Sequence, residues 1–485
     1  MVVLNYNCMK MKKLFGFLAV LALLIVFGSA KAQQVSPVDF MRLNPYQMNA
    51  NPATDLPYES VMSLVIGNMG MDVQNTSLRY NNLFDFDVQG RPATINLKQF
   101  ANSLKEKNFL GLNANVDLFT LYRRLNKGMI TINYGIKAQG DARYNDGLFK
   151  LLGYGNGAFV GDSNPVKVNM EVNAQAYQEF AVGYQRNITE QLSVGGKAKL
   201  LFGIGNVITD AFDAKLFTDA DSYALRLEED IAMCASMPKA VYVNDEGQLK
   251  TNGPFSVGEL FRNPGFGIDL AAEYRFDEQF SAVAAVHDLG FVHWGKNNIS
   301  MKGKVNDMGQ FYDNGDFLFN GLEWEQLQQI TSDESYRAQF LDTLKQYFQL
   351  EFAPMEAYNT ALNTTLLLRG NYDLDANNRF SAQVQGCFLR SGFRPAMTLA
   401  YCGSFWSNFN VCATYTMMPG SYANFGLGLS AMIATCNIYV TTNNIIGCFN
   451  PLNSPNVNAQ VGIVFNLFKE GRRTIDESET PEYLE

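Results

Sequence analysis

Over most of this chain, apolar and polar residues trade places at every second position. Residues 457–468, VNAQVGIVFNLF, show it best: Val457, Ala459, Val461, Ile463, Phe465 and Leu467 form one set, while Asn456, Asn458, Gln460, Gly462 and Asn466 supply most of the other. A period of two places the two sets on opposite faces of a β-strand. The stretch is long enough to cross a bilayer on a tilt, which takes roughly 9–11 residues.

The alternation recurs upstream. Leu112, Ala114, Val116 and Leu118 interleave with Asn113, Asn115 and Asp117, and Ile130, Ile132, Tyr134 and Ile136 with Thr131, Asn133 and Lys137. Val172, Ala174, Ala176, Phe180 and Val182 alternate with Glu171, Asn173, Gln175 and Glu179, and Ala198, Leu200 and Phe202 oppose Lys197 and Lys199. The third quarter continues with Ile268, Leu270, Ala272 and Tyr274 against Asp269, Glu273 and Arg275, then Leu366 and Leu368 against Thr365, Arg369 and Asn371. Phe380, Ala382, Val384 and Phe388 oppose Ser381, Gln383 and Gln385. One such strand fits any half-buried sheet. A long series, unbroken by a linker, favours a single closed barrel, since in lipid only closure leaves no sheet edge unpaired. The expected fold is all-β, an antiparallel transmembrane β-barrel of about 14 strands, within roughly 12–16 and even in number.

The N-terminus supports export. Lys12 and Lys13 precede an apolar run from Leu14 to Gly28, and Ser29-Ala30-Lys31-Ala32 supplies a small-residue cleavage site. The run is about 15 residues, short of the ~20 that a membrane helix needs. Residues 1–32 therefore read as a signal peptide. Composition agrees with a membrane barrel: charged residues are 18% of the chain and aromatics 13%, against ~25% charged in soluble domains. A net charge of −9 without a basic footprint excludes nucleic-acid binding.

Residues 33–58 carry Asn44-Pro45, Asn51-Pro52-Ala53 and Leu56-Pro57, which break any sheet ladder. They are expected to form a plug-like segment in the lumen. The barrel proper should run over residues 59–468, with a helix-like insert at 95–107, a Gly/Pro-punctuated loop at 234–261 and a longer helical insert at 320–354. In the last, Thr331 and Glu334 form a capping-box pattern and Tyr336, Phe340, Leu344 and Tyr347 an apolar stripe. Residues 469–485 read as a polar periplasmic tail.

Little in the chain points to catalysis. Its two histidines, His287 and His293, stand six apart and match no metal-ligand spacing; they read as interfacial or hairpin residues beside Phe291 and Trp294. A hydrolase would need a Ser within reach of one of them, and Ser281, on the same strand face as His287, lies ~20 Å away at ~3.4 Å per residue. Alternation points Cys387, Cys402 and Cys412 inward, where small lumen-filling side chains are expected; a disulfide is permitted in an oxidising periplasm but depends on cross-strand register that the sequence does not show. Asp313/Asp316 and Asp373/Asp375 read as turn chemistry. No catalytic, cofactor-binding or metal-ligating residue is expected.

Taken together, the chain resembles an uncharacterised Bacteroidetes-type outer-membrane barrel family related to FadL and PorV. The resemblance rests on the signal peptide, Asn51-Pro52-Ala53 ahead of the first strand, the stretch Leu78-Arg79-Tyr80-Asn81-Asn82-Leu83-Phe84 and a final strand ending in an aromatic. Gln460-x-Gly462-x-x-Phe465-x-Leu467 also resembles the C-terminal signal that barrel-assembly machinery reads, here followed by the polar tail. The resemblance implies residence in the outer membrane among its lipids and assembly by that machinery. A FadL-like barrel would pass a small hydrophobic ligand through a partly plugged lumen. A PorV-like one would work with type IX secretion-system proteins. No ligand-pocket residue of either maps onto this sequence.

Overall fold

A computed structural model describes residues 35–55 except 43, 60–221 except 91, 223, 225–236, 241–243, 249–251, 261–303, 322, 326, 329–330, 333, 335–336, 350–405 and 408–468. Residues 1–32, read from sequence as a signal peptide, the stretch 469–485 read as a tail, Asp313/Asp316 and most of the insert expected at 320–354 lie outside these residues.

Fourteen antiparallel strands among the described residues close into a barrel. They are β1 (Ser60–Asn75), β2 (Asn108–Leu125), β3 (Gly128–Tyr144), β4 (Val166–Asn187), β5 (Leu192–Thr218), β6 (Leu225–Ser236 and Pro264–Arg275), β7 (Phe280–Trp294 and Asn298–Gly303), β8 (Leu350–Met355, Tyr358–Ala361 and Thr365–Asp373), β9 (Asn378–Leu389), β10 (Gly392–Phe405), β11 (Phe409–Met418), β12 (Ser421–Ile433), β13 (Cys436–Thr442) and β14 (Asn456–Phe468). Each pairs with its sequence neighbours, and β1 closes the ring against β14, from Ser60↔Phe468 to Gln74↔Asn456. Tight turns such as Asp375–Asn378, where the Asp375 carboxylate accepts from the Asn377 and Asn378 N–H groups, join strands at the end that holds β14's C-terminus. Longer connections, including the helices Leu97–Ser103 and Gly147–Tyr154, gather at the other end.

The alternating apolar residues face outward. Val461, Ile463, Phe465 and Leu467 are exposed, whereas Asn456, Asn458, Gln460 and Asn466 are buried inside. Aromatic pairs ring the wall at two levels: Tyr274–Phe276, Phe280–Tyr372 and Phe380–Tyr401 near the short turns, Phe388–Phe393 and Tyr415–Phe425 near the long loops. From Phe380 to Phe388, ~3.3 Å per residue at ~40° tilt gives an apolar band of roughly 20 Å, close to the ~25 Å of a membrane barrel. No helix among the described residues is long and apolar enough to cross a membrane.

The outward face yields a direct expectation. Val461→Arg sets a charge toward lipid and should cost ~2–4 kcal/mol in unfolding from liposomes, while Val461→Ile should be neutral. Equal stability of the two variants would contradict the assigned face. The inner face is not the solvated surface that polarity alone suggests, because Asn458 and Gln460 are packed beneath other parts of the chain.

One strand does not run straight through the wall. β6 leaves the sheet after Ser236 and rejoins at Pro264, yet Ser236 pairs with Asn206 and Pro264 with Phe202 of the same neighbour, β5. The stretch between them, read from sequence as a loop, includes a small hairpin of Val241–Val243 with Leu249–Thr251. β7 is interrupted after Trp294 at the same level, where Gly295 N–H donates to the Asn263 side chain.

A segment held inside the barrel by buried charge

Residues 35–55 lie within the barrel. Their prolines forbid a strand, and the backbone instead forms two 3-10 turns, Pro37–Phe40 and Pro45–Asn49, the second begun by the Asn44 side chain accepting from Tyr46 N–H. Val38, Phe40, Met41, Tyr46 and Met48 are almost fully buried, against Val65, Tyr122, Tyr439 and Val464 of the inner wall. Apolar side chains on an irregular backbone find shelter there and nowhere else, because lipid cannot satisfy the unpaired backbone groups.

Polar contacts tie the segment to strands all around the ring. Tyr46 donates to Asp117 on β2 at 2.8 Å, Lys197 on β5 to the Asn49 side chain at 2.6 Å and Asn51 to Glu273 on β6 at 2.8 Å. His287 Nε2 on β7 lies 3.0 Å from Ala50 O, and Arg369 on β8 donates to Asp39 O at 2.8 Å with its guanidinium over the Phe40 ring. Near the short turns Asp55 accepts from Arg124 and Asn187. Burial pushes the Asp39 carboxyl up to about 6, against the pull of Arg369 and the Ser36 N–H.

Two glycines clear the way. A Cβ on Gly195 would collide with Pro52 O, and one on Gly428 with Met41 and Pro37. The inner wall is therefore shaped to this segment.

Beside it sits a web of buried charge. Lys199 Nζ lies 2.6 Å from both Asp269 Oδ1 and Asp288 Oδ1 and 3.8 Å from Glu179, which also pairs with Lys137 at 2.6 Å. Between the web and the segment is a cavity of about 110 Å³, lined by Asp39, Tyr46, Lys197 and the charged groups just named.

His287 is not the interfacial or hairpin residue expected from sequence. It is 2% exposed inside the lumen, with Nδ1 3.7 Å from Asp269. A bulge opposite Asp269, with Asp288 at φ 55°, turns consecutive residues His287 and Asp288 both inward, which plain alternation forbids. His293 stays outside on Asn359. Ser281, on the same face as His287, accepts from Asn371 and does not meet an imidazole. Among the described residues no group of His, Cys, Asp or Glu is placed to hold a metal.

Strand register decides the cysteines. Cys402 and Cys412 sit directly opposite across β10 and β11 and form a disulfide under the luminal segment, whereas Cys387 is a buried thiol. The signal for this web was present in the alternation that puts Lys197 and Lys199 on one strand face. Two ammonium groups pointing into a closed barrel need carboxylates opposite, and Glu179 and Asp269 were already on inward positions.

The architecture is that of a transmembrane β-barrel whose lumen is occupied by its own N-terminal segment. The chain belongs to the family of unknown function DUF5723, whose family model matches residues 52–443. This agrees with the uncharacterised family expected from sequence. No curated protein matches the chain. Solved structures similar to it include the Ralstonia pickettii toluene transporter TbuX (8% identity, TM-score 0.41, 88% of this chain and 93% of that one). Others are the Pseudomonas putida toluene transporter TodX (7%, 0.40, 87% and 92%) and a Pseudomonas aeruginosa FadL homologue (10%, 0.38, 87% and 93%).

Proposed function

We propose that this protein is a bacterial outer-membrane barrel, with its short turns toward the periplasm, that binds or passes a small hydrophobic molecule. The luminal segment acts as its plug. The observation that carries this reading is an apolar cluster on the inner wall, separate from the one against the plug and placed where β6 leaves the sheet. Tyr177, Leu201, Val292, Trp294 and Leu362 pack together there, all nearly or fully buried, and Gly203 leaves room for the Trp294 ring. A polar solute gains nothing from such a patch. An apolar one entering from the long-loop end, stopped below by the plug, would be taken up by parting these side chains.

Trp294 reports on this site. In a Trp324→Phe/Trp406→Phe background, bromobenzene should quench Trp294 saturably, toluene should compete, and Leu201→Asn should weaken quenching by about fivefold, the cost of roughly 1 kcal/mol in a polar-lined site. Linear quenching that Leu201→Asn leaves unchanged would count against a binding site. The second reading, a structural or type IX secretion-linked barrel acting through protein partners, is favoured by the close fit of the luminal segment to the wall. On that reading bromobenzene quenches only linearly and the purified native barrel carries a stoichiometric protein partner.

A further inference from the structure

The outer wall is not uniformly covered by large side chains. Across β4 to β8, on the lipid-facing side and near the short turns, the wall sinks into a groove of about 820 Å³. Strand pairing explains it. Val194 lies beside Ala272, Ala272 beside Ala284 and Ala284 beside Leu368, so small side chains fall in line across adjacent strands. The next row, Leu270, Val286 and Leu366, stands higher and forms one bank.

At one end of the groove is Arg186. It occupies the outward face of β4 with Val182 and Tyr184, one residue before the strand ends at Asn187, and pairs in register with Val194. No carboxylate among the described residues forms an ion pair with it. A guanidinium at the lipid-facing surface costs ~2–4 kcal/mol at mid-bilayer and almost nothing at headgroup depth. Arg186 sits one pleat from the aromatic level marked by Tyr274, which is headgroup depth.

We propose that this groove binds one phospholipid of the leaflet at the short-turn end, with an acyl chain laid across Val194, Ala272 and Ala284 and the phosphate on Arg186. Three observations select this occupant. The groove opens onto hydrocarbon, so what covers it in the membrane is lipid. Its lining is apolar apart from its end, which leaves no hydrogen-bonding group for a polypeptide partner. The single charged group is cationic, planar and at phosphate depth, where it pairs with a phosphodiester through two parallel N–H donors.

The test uses native mass spectrometry of the full-length barrel, refolded and released from mild detergent, titrated with phosphatidylglycerol and with diacylglycerol of the same chains. Wild type should retain one phosphatidylglycerol and bind it about tenfold more tightly than diacylglycerol, the range of a phosphate–guanidinium pair. Arg186→Gln should abolish that preference and leave diacylglycerol binding as it was. Ala284→Phe, or the milder Ala272→Val should Ala284→Phe fail to give a heat-modifiable barrel, should reduce both. Equal affinity of wild type for the two lipids, or retention that neither class of variant alters, would overturn the proposal. So would a groove variant that changes the oligomeric state and leaves lipid binding intact, because the groove would then belong to a second copy of the chain.

Discussion

Deleting residues 40–55, with residues 1–32 kept, is expected to raise single-channel conductance in planar bilayers by about tenfold or more, from a near-closed state to that of a water-filled barrel. The expectation follows from occupancy. The segment fills the lumen from β13, where Ser36 meets Thr441, to the short turns, where Asp55 meets Arg124. Beside it lies a cavity of about 110 Å³, room for a few waters. A point variant gives an independent route to the same result. Gly195→Leu projects a side chain into Pro52 and Ala53 from the inner wall while leaving the lipid-facing surface untouched, so it should dislodge the segment's lower end and raise conductance in part. The wall is hydrogen-bonded strand to strand without the segment, so both variants should still assemble. If the unaltered protein already conducts as a wide pore, or if neither change alters conductance, the segment does not seal the barrel.

Lys199→Met should be the most destabilising single substitution in the lumen, costing ~3–5 kcal/mol in urea unfolding of the refolded barrel. Methionine keeps the length of the side chain and removes its charge. Asp269 and Asp288 then face one another at 2–4% exposure without the ammonium that joined them, while Glu179 keeps Lys137. Leaving a buried charge unpaired costs far more than the pair itself contributes, because the desolvation is no longer offset. The double variant Lys199→Met/Asp288→Asn removes one of the stranded charges and should recover at least part of the loss. If Lys199→Met stays within ~1 kcal/mol of wild type, water reaches the web and screens it as it would a surface pair.

The disulfide, the bulge at Asp288 and the luminal contacts share one property: each depends on residues brought together from different strands. Cys402 and Cys412 point inward by alternation alone, but whether they meet is decided by the register of β10 on β11. His287 and Asp288 break alternation together, and nothing in HDLGFVHW announces the positive φ that turns both inward. The interruption of β6 shows the same thing. Its two halves take one position in the wall although 27 residues separate Ser236 from Pro264, and local pattern does not report that a strand resumes where it left off.

The sequence by itself determined which face of each strand meets lipid, because period-two alternation of side chains is a local property and a membrane enforces it at every strand. It determined the class of fold and the approximate number of strands, since closure is the one way for such strands to leave no edge. It also pointed to a stretch that breaks the ladder, since Pro45 and Pro52 lack the N–H it needs, and the described residues 35–55 form no strand. Only the tertiary structure decided what fills the lumen and how it is held there. Lys199 meets Asp269 and Asp288, Tyr46 meets Asp117 and Gly195 makes way for Pro52 across distances along the chain that local pattern does not span, and those meetings are set by the register of fourteen strands closing on one another.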